Sequence, residues 1–207
     1  MDGRNYFRYA HAMSTNQPYS RSPELMSAED TALVVVDVQT KLMPLIRGQA
    51  RILWNLRRLI DGAEATGVRM LATEQYPQGL GPTVRELAER LGTIPSKMAF
   101  SCGGCEPFMA QLGASGVSKV LVSGIEAHVC VQQTVLDLLA AGYRVYIPVD
   151  AVGSRYQIDY ETGLRRMESA GATLTTTESA LFEWCQVSGT PTFKKISALV
   201  REAPPAD

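Results

Sequence analysis

Thr31-Ala32-Leu33-Val34-Val35-Val36 is a continuous apolar, β-branched run that ends in Asp37-Val38-Gln39. A strand with one wet face alternates polar and apolar residues. A run without alternation is buried on both faces, as strands of parallel sheets are. Helices must then cover both sides, and the rest of the chain supplies them. Leu53, Leu56, Ile60 and Ala63 share one face of a helix that stops at Gly67. Val68–Thr73 reads as a second strand, running into the turn-rich loop Glu74–Pro82. Thr83 and Glu86 have capping-box spacing for a short helix ending near Gly92. A brief extended segment surrounds Lys97, Pro107 suits the first turn of a helix, and Lys119–Ser123 is another buried strand. Gln132–Ala141 has helical spacing up to Gly142. Arg144–Val149 is a strand in which Pro148 is awkward for a central position. Helix 157–170, strand 172–176, helix 178–185 and a last helix opened by Pro191 complete the chain. Strand and helix alternate throughout, which predicts an α/β fold with a parallel sheet covered on both faces.

The chain has 207 residues, enough for one domain with tails. Residues 1–29 are polar and aperiodic, and read as a flexible arm or one that packs on a neighbour. Residues 30–201 carry the domain and 202–207 a short tail. His11 falls in the arm, away from any chemistry. A net charge of -1 argues against nucleic-acid and acidic-membrane partners. No apolar run approaches the ~18 residues that span a bilayer. Residues 1–20 lack the apolar stretch of a secretory signal, and four cysteines in a chain this long are not a disulfide framework. A reducing, cytoplasmic setting is expected.

The chemistry-bearing residues sit at strand ends. Ligands of open parallel sheets bind there, where the strand order reverses. Asp37 ends the first strand, and Cys130 follows the fourth, in Ser123-Gly-Ile-Glu-Ala-His-Val-Cys-Val131 at the start of a helix. Free amides and the helix dipole favour a thiolate at such a position. Taken singly, Asp37 reads as a helix cap, Lys97 as a solvated charge and Cys130 as a small buried residue. If the strand order is 3-2-1-4-5-6, the first and fourth strands are neighbours and all three side chains can converge. An acid, an ammonium and a thiol then make a nucleophilic unit. The lysine favours thiolate, and the carboxylate takes the thiol proton and returns it to a leaving group.

Three stretches carry a resemblance: Val36-Asp37-Val38-Gln39, Ser96-Lys97-Met98-Ala99-Phe100-Ser101, and Gly124-Ile125-Glu126-Ala127-His128-Val129-Cys130-Val131. In that order they resemble the isochorismatase-like cysteine hydrolases. The loop Thr73-Glu-Gln-Tyr-Pro-Gln-Gly-Leu-Gly81 is similar to the subgroup of isochorismatase domain-containing proteins. The similarity runs from about Thr31 to Val200. It implies a three-layer αβα sandwich with a parallel sheet in the order 3-2-1-4-5-6. It also implies Asp37, Lys97 and Cys130 as a catalytic triad, with Cys130 attacking a carbonyl or similar carbon. The amides of Glu126 and Cys130 would form the oxyanion site, with the Ile125–Glu126 peptide cis. A homo-oligomer, dimer or larger, is implied as well.

The chain departs from the nicotinamidase branch, which carries an Asp and two His as metal ligands. Here Gln39 is followed by Thr40-Lys41-Leu42, and the histidines are His11 and His128 alone. No metal is expected, and no cofactor, since neither a dinucleotide-binding glycine motif nor a P-loop is present. Cys102-Gly-Gly-Cys105 has redox or zinc spacing without the second pair that completes a site, and reads as a loop with two free thiols. Gln39, Glu74, Tyr76 and His128 are the expected lining of a substrate pocket. The expected activity is hydrolysis of a small amide or related acyl compound through a thioester. The rivals are enol-ether hydrolysis, as in isochorismatase itself, and a non-catalytic interaction protein on the same scaffold.

Overall fold

The computed structural model of the chain describes residues 20–205. Its strands are β1 (Thr31–Val36), β2 (Arg69–Gln75), β3 (Ser96–Lys97), β4 (Lys119–Ile125), β5 (Arg144–Pro148), β6 (Val152–Gly153) and β7 (Thr173–Thr175). All pair in parallel, in the order β3-β2-β1-β4-β5-β7, with β6 on the end of β4. This is the expected path 3-2-1-4-5-6, counted with the two-residue strand β6 added. β1 lies between β2 and β4, with Val36 level with Thr73 on one side and Gly124 on the other.

The helices are α1 (Gln49–Thr66), α2 (Pro77–Leu80), α3 (Arg85–Leu91), α4 (Glu106–Ala114), α5 (Gln132–Ala140), α6 (Gln157–Ser169), α7 (Thr177–Cys185) and α8 (Pro191–Val200). The period-two alternation of β1 divides them into two layers. Leu33 and Val35 pack with Leu56, Leu59 and Ile60 of α1, Leu181 of α7 and Ile196 of α8. Ala32, Val34 and Val36 pack with Phe108 and Leu112 of α4, Val135 and Leu138 of α5 and Met167 of α6. Side chains that alternate faces while every residue is buried leave β1 no position but the middle layer.

Pro148 is accommodated because β5 pairs with β4 only over Arg144–Tyr146. Beyond that point β4 takes its hydrogen bonds from the β6 segment, with Gly124 donating to the Ala151 carbonyl. Gly124 has φ 108°, and a Cβ there would lie 2.2 Å from the carbonyl oxygen of Val36. The glycine therefore lets β4 approach β1, not a ligand. The Ile125–Glu126 peptide that follows is cis.

Two expectations change. The Thr83–Glu86 capping box does not form: α3 starts at Arg85 without a side-chain cap, and Thr83 instead donates to Glu74. Of the arm expected over residues 1–29, the last part packs onto the body. Met26 is buried, its amide donates to Glu183, and Lys119 and Tyr146 bond the carbonyls of Leu25 and Glu24. Residues 1–19, including Tyr6, Phe7, Tyr9, His11 and Tyr19, lie outside the described residues. In the tail, Glu202 pairs with Arg57 of α1. Among the described residues no helix is long and apolar enough to cross a membrane.

Candidate active site

The sheet order reverses between β1 and β4, and ligands of open parallel sheets bind beyond the carboxyl ends of strands at such a reversal. Asp37 follows β1 directly, with φ 52°, its amide bonded to the Thr73 carbonyl of β2. Lys97 ends β3, in register with Gln75. Cys130 lies in a π-helical turn, Ala127–Val131, that links β4 to α5. α6 holds that turn down, since a Cβ on Gly163 would stand 3.1 Å from the His128 Cα. α5 begins at Gln132, where the helical spacing begins, and the wider turn before it carries the cysteine that was expected in the helix's first turn.

The structure brings Asp37, Lys97 and Cys130 together. Lys97 Nζ is 2.7 Å from Asp37 Oδ2, and both side chains are wholly buried. The same nitrogen donates to Gln75 Oε1 at 2.9 Å and to the carbonyls of Phe100 and Ala99 at 2.7 and 3.2 Å. A ring of four oxygens around one nitrogen suits an ammonium, which has donors only. Asp37 Oδ1 accepts from Thr73 Oγ1 at 2.9 Å, and the Cys130 thiol also bonds the Asp37 carboxylate.

The electrostatics correct one expectation. Burial raises the pKa of Asp37, and Lys97, Cys130 and Thr73 only partly offset it. Burial raises that of Cys130 well above the usual thiol range, the Asp37 charge raises it further, and Lys97 opposes. Burial and the Asp37 charge thus favour the neutral thiol at Cys130, against the thiolate that the helix start and lysine led one to expect.

Gln39 is buried and acts on the backbone. Its Oε1 accepts from the Gln75 amide at 2.8 Å, and its Nε2 donates to the Gln75 and Gly81 carbonyls at 3.0 and 2.6 Å. Glu74, expected in the pocket, lies on the other face of β2 and clamps Thr83 through its amide and hydroxyl. Tyr76 donates its amide to the Lys97 carbonyl, and its ring lies against Gly79. His128 Nδ1 is 3.0 Å from Ser154 Oγ, and Nε2 is 3.8 Å from Asp159. The Glu126 carboxylate binds the amide and guanidinium of Arg155.

Two residues escaped the sequence reading. Thr73 supports Asp37, and Gln75 supports Lys97 while donating Nε2 to the Met98 carbonyl. Strand parity was the available signal: if β2 reaches Gln75, residues 73 and 75 share a face and Glu74 does not. Cys102 is a third neighbour, 3.3 Å from Thr73 Oγ1, its thiol pushed up to about 11 chiefly by burial and then by Asp37. Cys105 Sγ is 3.8 Å from the Ser96 carbonyl, and both thiols are free. Among the described residues no three His, Cys, Asp or Glu side chains gather as a metal would require.

A model of the isochorismatase domain matches residues 31–179. Isochorismatase domain-containing protein 2A of Mus musculus is 38% identical over 178 residues, covering 86% of this chain and 85% of that protein. Two solved structures share the architecture. The MAR1 ribonuclease from Caenorhabditis elegans has a TM-score of 0.81 and 39% identity, covering 88% of this chain and 95% of that one. YcaC from Pseudomonas aeruginosa, solved with hexane-2,5-diol and covalent acrylamide, has a TM-score of 0.80 and 25% identity, covering 87% and 93%.

Proposed function

The chain belongs to the isochorismatase domain family, one of hydrolases, and from that premise we propose that it hydrolyses a small amide or related acyl compound through a thioester on Cys130. The observation that carries this is the convergence of the Cys130 thiol and the buried Lys97 ammonium on the Asp37 carboxyl group. Asp37 takes the proton from Cys130 Sγ as the sulfur attacks the carbonyl carbon. Lys97, bonded to Asp37 Oδ2, favours the carboxylate form and holds it in place. The carbonyl oxygen becomes an oxyanion, which the amides of Glu126 and Cys130 stabilise. The C–N bond breaks, the amine leaves with the proton from Asp37, and an acyl–Cys130 thioester remains. Water attacks the thioester, Asp37 removes its proton, and the acid product departs as the thiol is restored. The substrate is a small molecule and the working form a homo-oligomer, which light scattering tests.

The test is mass spectrometry of the protein mixed with short-chain p-nitrophenyl esters and quenched early. An acyl group on the Cys130 peptide, absent in Cys130→Ala, is the expected result. Turnover with no Cys130 adduct, and none in the steady state of slow substrates, overturns the thioester and favours direct attack by water, the chemistry that enol-ether hydrolysis also uses. Absence of both favours the non-catalytic reading. The name of the MAR1 neighbour favours a second reading, with RNA as substrate, despite a net charge of -1 in this chain. RNA cleavage abolished by Cys130→Ala would replace the acyl reading.

A further inference from the structure

Resting on that reading, we infer that the acyl part of the substrate is uncharged and apolar, so that the site turns away carboxylate-bearing compounds. The first observation is the state of the charges. Every proton of the Lys97 ammonium has an oxygen partner among Asp37, Gln75, Ala99 and Phe100. The Glu126 carboxylate is held by Arg155, and the Glu74 carboxylate by Thr83. Among the described residues Lys97 is the cation whose charge acts on Cys130, and its protons are taken, so an anion brought there would meet Asp37 uncompensated. A charge that loses water without gaining a partner is strongly disfavoured.

The second observation is the edge of the site. Tyr76, Met98 and Phe100 are 46%, 72% and 53% exposed. They belong to the segments that carry Gln75 and Lys97, and those segments are tied together there. Tyr76 donates to the Lys97 carbonyl, Gln75 to the Met98 carbonyl, and Lys97 to the Phe100 carbonyl. Large apolar side chains left in water at a site edge mark a surface that an apolar ligand covers. Their backbones anchor Lys97 and Gln75, while the Met98 and Phe100 side chains stay largely in water.

The experiment compares two p-nitrophenyl esters of equal chain length, the hexanoate and the hydrogen adipate, which share a leaving group and differ by one carboxylate too distant to attack its own ester. Acylation of Cys130 is read by intact mass and peptide mapping, with Cys130→Ala as blank. Each rate is divided by that of glutathione with the same ester, which removes intrinsic reactivity. The normalised rate for the hexanoate exceeds that for the adipate by about tenfold or more, the scale of an uncompensated buried charge. Met98→Lys, which keeps the carbonyl bonded to Gln75, narrows the ratio by accelerating the adipate. Equal normalised rates, or a faster adipate, overturn the substrate class and leave the acyl–cysteine function standing. Acylation of Cys130 by neither ester overturns the function itself, and the inference with it.

Discussion

Thr73 Oγ1 donates its one proton to Asp37 Oδ1 at 2.9 Å, so Cys102, 3.3 Å away, must be the donor in its own contact with Thr73. A chain of two hydrogen bonds therefore ends on the carboxylate that faces Cys130. Its effect is to lower the Asp37 pKa against the rise that burial causes.

Thr73→Val keeps the shape and removes that bond. The Asp37 pKa then rises further, and the acidic limb of kcat/KM moves to higher pH. The loss at neutral pH is about tenfold, what one hydrogen bond to a charged group is worth. An acidic limb that stays in place would show that Thr73 does not act through Asp37.

Cys130 titrates as a thiol, not a thiolate, at neutral pH. The difference in 240 nm absorbance between wild type and Cys130→Ala isolates it from the other three cysteines. The difference is near zero at pH 7 and appears only in strong alkali, because burial and Asp37 both raise the pKa. Asp37→Asn removes the neighbouring charge, so its thiolate appears at lower pH even though turnover is lost. A thiolate signal in the wild type at pH 7 would contradict this assignment.

Gln75→Leu takes one acceptor from Lys97 and the donor from the Met98 carbonyl. Gln75 is a positioning residue, so kcat falls by about tenfold or more while KM changes little. Its acidic limb also moves up, as Lys97 is less firmly held against Asp37. A rise in KM alone would instead place Gln75 in substrate binding.

Gly124→Ala and Gly113→Ala make a matched pair. At Gly124 the new methyl meets Val36 backbone oxygen and nitrogen at 2.2 and 2.6 Å, which costs about 3 kcal/mol or more. At Gly113, in α4, nothing lies within 4 Å, and alanine stabilises by up to about 1 kcal/mol through helix propensity. Thermal unfolding that ranks them in any other order would refute the close approach of β1 and β4.

The parallel sheet was legible because strands such as β1 carry unbroken apolar runs, with Asp37 and Cys130 at the ends of two of them, whereas its strand order came from the family resemblance and not from the runs. Thr73 and Gln75 were not legible, because ending β2 at Thr73 leaves strand parity unread at its last residues. Glu74 looked like site chemistry by residue type, yet one step along a strand turned it to the opposite face. The protonation of Cys130 depends on how deeply the surrounding layers bury it, which no local spacing records. The capping box failed for a related reason: Thr83 had a better partner in Glu74, distant by nine residues and adjacent in space.

β1 has a further consequence for how the chain acquires its fold during synthesis. Its partner β2 follows after a single helix, whereas β4 enters only past residue 119. Until then the emerging chain holds an apolar strand with one edge unpaired, the kind of edge that other chains can join. Asp37 and Lys97 leave the ribosome before Cys130, so an acid–ammonium pair awaits the thiol. Premature termination between residues 100 and 119 would thus release a fragment with that edge open. Chaperones that bind extended apolar segments have their longest opportunity in this interval.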